Sequence, residues 1–115
     1  MNNFEFMQTI RDEVGKLEKQ TGYEVEILFE GKLKGNQIAM ASRDKIVIGL
    51  SFMIRMPMDE VVEVILHEFG HVVTLNKYSG KVSAHGFEWQ KEVRKLGGNP
   101  SRLYHGKFVN PIWVR

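Results

Sequence analysis

The sequence predicts an α+β fold: an N-terminal helix on a small three-stranded sheet, then a helix carrying H-E-x-x-H, then a second helix carrying one more metal-ligand candidate. Three observations predict it. Phe6, Ile10, Val14 and Leu17 recur at helical spacing within residues 3–20. Residues 23–29, 37–41 and 45–50 are short β-prone segments separated by turn-forming links. The most apolar stretch of the chain, residues 61–75, follows them and carries His67-Glu68-Phe69-Gly70-His71.

In the first helix Arg11, Asp12, Lys16 and Lys19 fall between the apolar positions, and Thr21-Gly22 ends it. Its expected task is to cover the sheet. The first strand, 23–29, alternates polar and apolar at its start, with Glu24 and Glu26 facing water. Gly31-Lys32-Leu33-Lys34-Gly35 is a glycine-bracketed loop, and Ser42-Arg43-Asp44 tightly joins the second strand (37–41) to the third (45–50). Residues 51–58 form a linker with one short turn, whose Phe52, Met53, Ile54, Met56 and Met58 read as adaptable core. Pro57 sets the entry to the next helix. Asp59 is the expected cap of that helix, Glu60 and Glu63 suit its positive end, and Asn76 and Gly80 are stop signals. After a polar loop, residues 85–96 form the last helix, with Phe87 or Trp89 joining Val93 and Leu96 in an apolar stripe and Gly97-Gly98 at its end. The tail, 99–115, is expected to be irregular and partly packed, because Tyr104, His105, Phe108, Ile112 and Trp113 are too many ring and apolar groups for a free end.

Length and composition bound the possibilities. At 115 residues, 1–115 reads as a single domain with a modest core. A hydrophobic fraction of 43% beside 26% charged residues is ordinary for a globular protein. No apolar run reaches membrane-spanning length, and Met1-Asn2-Asn3-Phe4-Glu5 lacks the basic start and apolar core of a secretory signal, so a cytoplasmic location is expected. The absence of cysteine excludes disulfides, thiolate metal ligands and a cysteine nucleophile. Any metal site must therefore use His, Asp or Glu. Charge is uneven: residues 1–71 carry eight Lys/Arg against twelve Asp/Glu, and residues 72–115 carry eight against two. The basic second half is the expected surface for DNA, if DNA is a partner.

The pentad carries the chemistry. Residues four apart stack on one helix face, so His67 and His71 aim both imidazoles at one point, where zinc can take them as ligands. Glu68 sits one step round the helix, where a general base for a metal-activated water belongs. Four His and eleven Glu placed at random in this length give on the order of 0.01 such pentads, so chance is a poor explanation. The surrounding helix is apolar nearly all round and hence buried, and a metal ion compensates the cost of burying its polar groups.

A catalytic zinc takes three protein ligands and keeps a position for water. His85 follows the pentad after thirteen intervening residues, enough to finish the helix and return, and Gly86 leaves space for close approach. Glu88 or Glu92 on the same helix, and His105 in the tail, are the alternatives. The metzincin pattern is excluded, because Thr74 and Lys77 stand where it requires Gly and His.

Residues 45–89 resemble the SprT-like zinc peptidases, the group that includes the Spartan DNA–protein crosslink proteases. The resemblance rests on Lys45-Ile46-Val47-Ile48, the linker through Pro57, the helix 60–71, and His85-Gly86-Phe87-Glu88-Trp89. It implies a minimal zincin-like domain with His67, His71 and His85 as zinc ligands and Glu68 as the catalytic residue. It also implies a peptidase acting on protein or peptide substrates, with DNA-associated proteins among them. A second similarity, to the minigluzincins, whose third ligand is Glu, implies a small self-inhibited protease. A non-catalytic, metal-stabilised nucleic-acid-binding module is the reading outside enzymes. In the peptidase reading, Tyr104, His105 or Arg102 would support the oxyanion if the tail folds over the cleft.

Overall fold

The computed structural model describes residues 1–35, 37–78, 82–101 and 113–114. Helix α1 (Asn3–Thr21) starts on a reciprocal cap: Asn2 Oδ1 accepts from the Glu5 N–H at 2.8 Å, and Glu5 Oε1 accepts from the Asn2 N–H at 3.0 Å. It ends at Gly22, whose φ of 83° lets its N–H close on the Glu18 carbonyl at 2.8 Å. The apolar stripe read from the sequence is the one buried, Phe6, Ile10, Val14 and Leu17.

Strand β1 (Glu26–Glu30) begins three residues after the expected start at Tyr23. The cause is local. Thr21 Oγ1 accepts from the Tyr23 N–H at 3.2 Å, and Glu18 Oε2 accepts from the Val25 N–H at 2.9 Å. Side chains of the helix end thus take those two donors, and ladder pairing starts at Glu26. Glu24 and Glu26 do face solvent.

Strands β2 (Gln37–Ala41) and β3 (Lys45–Gly49) form an antiparallel pair with Ala41 opposite Ile46, and β1 lies parallel to β3 on its other side. The three expected strands therefore form one sheet. A two-residue strand, β4 (Trp113–Val114), runs parallel to β2 and makes the order β1-β3-β2-β4. These two residues lie in the tail expected to be irregular. The outer edge of β2 offers a row of backbone donors and acceptors that an extended segment can pair with.

Leu50, expected to end the third strand, instead opens the single turn α2 (Leu50–Met53). Helix α3 (Met58–Tyr78) begins one residue before the expected cap, because the Pro57 carbonyl accepts from the Glu60 and Val61 N–H groups at 3.0 Å each. Asp59 is therefore inside the first turn beside Glu60, where both charges favour the positive helix end but neither is the cap. Asn76, expected as a stop, lies in the last turn. Its Nδ2 donates to the carbonyls of Val72 at 2.8 Å and Arg43 at 2.9 Å, tying α3 to the β2–β3 turn. The other stop signal, Gly80, is outside the described residues. Helix α4 (Phe87–Lys95) starts after Gly86, two residues later than expected. Gly97, with φ 96°, follows its end. Trp89 and Val93 turn inward while Phe87 stays 71% exposed, which decides the phase that the sequence left open.

The core lies between α1, the sheet and α3. Phe6, Ile10 and Val14 meet Ile38, Ile46 and Ile48 of the sheet, with Val61, Val64, Ile65, Phe69 and Val72 of α3. Met53 and Met56 of the linker are buried in the same cluster and Phe52 and Ile54 pack against it, whereas Met58, also expected in the core, opens α3 on its solvent side and is 38% exposed. Each fully buried aliphatic or aromatic side chain here is worth about 1.5–3 kcal/mol of hydrophobic stabilisation. The result is a rigid bed for the middle of α3.

Candidate metal centre

Helix α3 sets His67 and His71 one turn apart, both almost fully buried, on the side that meets α4. His85 enters from the segment just before α4. Its Nε2 stands 3.2 Å from His67 Nε2 and 3.1 Å from His71 Nε2. One ligand atom from each of the three lies within 4.8 Å of the others, and His85 is the half-buried member of the group. Among the described residues this is the cluster able to hold a metal ion.

Convergence of this kind is poorly served by hydrogen bonds alone. An imidazole Nε2 carries either one proton or one lone pair, so His85 Nε2 serves only one of its two nitrogen neighbours well at a time. A cation resolves the conflict by taking a lone pair from each ring. Four-coordinate zinc with bonds of about 2.0–2.1 Å places neighbouring ligand nitrogens about 3.3 Å apart, close to the separations found. The rings must also be neutral to bind. Burial, helped by the charge of His85 nearby, pushes His71 down to about 3, so it stays neutral at ordinary pH. The donor set therefore suits zinc.

Glu68 is fully buried, and neither carboxylate oxygen has a hydrogen-bond partner among the described residues. Burial raises its pKa well above the usual carboxylate range. A carboxylate kept without hydrogen bonds in an apolar bed is a strong proton acceptor and a costly charge.

Among the described residues, the alternatives for the third ligand, Glu88 and Glu92, do not join the cluster. Glu92 is turned toward Lys77 instead, with Nζ 3.1 Å from Oε2 and 3.2 Å from Oε1, and its proximity raises the Lys77 pKa. Glu88 is half-buried near the start of α4 and is not among the converging groups. His105, Tyr104 and Arg102 lie outside the described residues.

Two neighbours of the site, Trp89 and Gly70, stand in the sequence only as a stripe position and a motif position, without a role at the site. Trp89 is fully buried against all three imidazoles, with ring centroids 4.5 Å from His67, 5.3 Å from His71 and 4.9 Å from His85. Gly70, between the two helical histidines, is where α4 comes closest: an added Cβ would meet Val93 Cγ2 at 2.5 Å. The available signals were the four-residue step from His85 to Trp89 and a glycine in the middle of a helix, which usually has a packing reason.

The fold and site define an α+β chain whose three converging imidazoles, two from one helix and one from the segment leading into the next, could hold a metal ion. The model of the SprT-like family matches residues 3–105, and the chain belongs to that family. No curated protein and no solved structure matches the chain.

Proposed function

We propose that the protein is a zinc-dependent metallopeptidase of zincin-like build. The observation that carries this reading is the pairing of three converging Nε2 atoms with a fully buried carboxylate next in sequence to one of them. His67, His71 and His85 would hold the ion. When bound, zinc supplies a Lewis acid that lowers the pKa of water to near 7 and polarises a peptide carbonyl. Glu68 takes the proton of the attacking water at a carboxylate oxygen and hands it to the leaving amine. The raised proton affinity of Glu68 suits the first transfer, and α3 holds the carboxylate in place through both. Unfolded protein or peptide is the substrate class. Glu68→Gln is the test: zinc content should stay at one equivalent while cleavage of an unfolded protein falls by about 10²–10⁴-fold, the usual worth of a general base. Full activity in that variant would remove Glu68 from the chemistry.

The outer side of α4 supports a second reading, association with DNA. Lys91, Arg94 and Lys95 are all exposed there, while Lys77 at the end of α3 is engaged with Glu92. DNA-associated proteins would then be among the substrates, or the chain would be a metal-stabilised adaptor without catalysis. Salt-dependent DNA binding with no cleavage of unfolded protein would favour the adaptor. No described helix is long and apolar enough to cross a membrane, and a cytoplasmic location remains part of this proposal.

A further inference from the structure

We propose that Trp89 is the positioning residue that fixes the three imidazoles for the metal, an inference that rests on the metal reading above. Three contacts carry it. The indole is stacked on His71, with centroids 5.3 Å apart and planes inclined by 21°. It meets His67 and His85 edge-on, at 64° and 85°. Its Nε1–H donates at 3.1 Å to the carbonyl of His67, the carbonyl of the peptide that joins His67 to Glu68. One rigid side chain therefore touches every ring of the cluster and holds the backbone between a ligand and the buried carboxylate.

The arrangement is built rather than incidental. Trp89 is completely buried, so its ring has no freedom to turn away. Gly70 admits it: a Cβ there would stand 3.1 Å from Trp89 Nε1. Ring orientation decides whether a lone pair points at the ion, and groups that orient ligands are worth 10–100-fold in metal affinity. Here a stacked aromatic surface and one N–H donor take that task. Because Trp89 lies two residues into the helix that follows His85, it also fixes how far that helix can carry the third ligand from the other two.

The experiment compares zinc affinity, by competition with a chromophoric chelator, and the visible absorption of the cobalt(II) form. The proteins are wild type, Trp89→Phe, Trp89→Leu and Val93→Ala. Trp89→Phe keeps an aromatic surface and loses the donor; Trp89→Leu loses both. Val93 is buried on the same helix and packs on Gly70, so its truncation loosens α4 without removing a ring contact. Expected are losses of zinc affinity of about 10-fold in Trp89→Phe and about 100-fold in Trp89→Leu, each with a changed cobalt spectrum. Val93→Ala should lower the melting temperature yet bind zinc as wild type does. Should Trp89→Leu fail to fold, Trp89→Phe alone decides. Wild-type affinity and spectrum in Trp89→Phe overturn the proposal, and so does an equal loss of affinity in Val93→Ala. Wild-type protein that takes up neither ion overturns the metal reading and the role of Trp89 with it.

Discussion

A Cβ placed on Gly70 would stand 2.5 Å from Val93 Cγ2, so α4 approaches α3 at the centre of the H-E-x-x-H motif more closely than any residue but glycine allows. Two effects compete in Gly70→Ala. Alanine in a helix interior gains about 1 kcal/mol over glycine. Overpacking a filled contact costs about 1–3 kcal/mol, and the β-branched Val93 has little rotamer freedom with which to yield. The clash should win. We expect net destabilisation and weaker zinc binding, because displacing α4 also displaces His85. A higher melting temperature in Gly70→Ala would show that the helices are less closely packed than this.

Buried Glu68 gives a prediction that needs no substrate. Its folded pKa is raised above the ordinary value of 4.5 by burial. The folded protein therefore holds a proton that the unfolded chain releases. Stability tied to the protonated form is complete below about pH 4.5 and is lost as pH rises toward the folded pKa. Glu68→Gln cannot ionise and escapes that loss. In the presence of a chelator, the variant should gain melting temperature over wild type as pH is raised from 4 to 8. A constant difference across that range would mean that Glu68 is not desolvated in the metal-free protein.

The Lys77–Glu92 pair joins the last turn of α3 to the inner face of α4. It is asymmetric: the Glu92 side chain is 4% exposed and that of Lys77 39%. Truncating Lys77 to Met leaves a buried carboxylate without its cation, which should cost about 1–3 kcal/mol in urea unfolding. Glu92→Gln, which removes the buried charge itself, should cost less. In the double variant the losses should fall short of their sum. Simple addition would show that the pair is decorative, like most surface ion pairs.

How far the site could be read ahead of the structure depends on which physical signal each part used. His67 and His71 were legible because a 3.6-residue period fixes their common face whatever surrounds them. His85 came from ligand chemistry and a plausible return distance, and spacing alone left Glu88, Glu92 and His105 in competition. Geometry now separates the first two, because the Glu92 carboxylate is drawn to Lys77 and Glu88 stands outside the cluster. Trp89 was legible only as half of a choice. The helix phase depends on where α4 begins, and Gly86 sets that point with no side-chain cap to announce it. Sheet order was out of reach for a different reason. Alternation tells which residues share a face, but not that β1 would pair parallel with β3 and leave β2 beyond it. The late start of β1 was hidden as well, since it turns on Glu18 reaching seven residues along the chain to the Val25 N–H.

The third ligand is the assignment on which the reading of the site turns, and metal removal tests it against its neighbours on α4. His85 supplies a nitrogen 3.1–3.2 Å from both helical histidines, whereas Glu88 and Glu92 are not among the converging groups. Loss of a direct ligand should exceed the 10–100-fold that orienting groups are worth. His85→Ala should therefore lose zinc on dialysis, while Glu88→Ala and Glu92→Gln retain it. Linkage adds a second readout. Zinc at about 100 times its dissociation constant stabilises a folded state by about 2.7 kcal/mol. A chelator should thus lower the melting temperature of wild type, Glu88→Ala and Glu92→Gln by several degrees and leave His85→Ala where it was. Were Glu88→Ala the variant that lost both zinc and the chelator response, the ion would sit between α3 and the first turn of α4, and His85 would be a cap to that helix rather than a ligand.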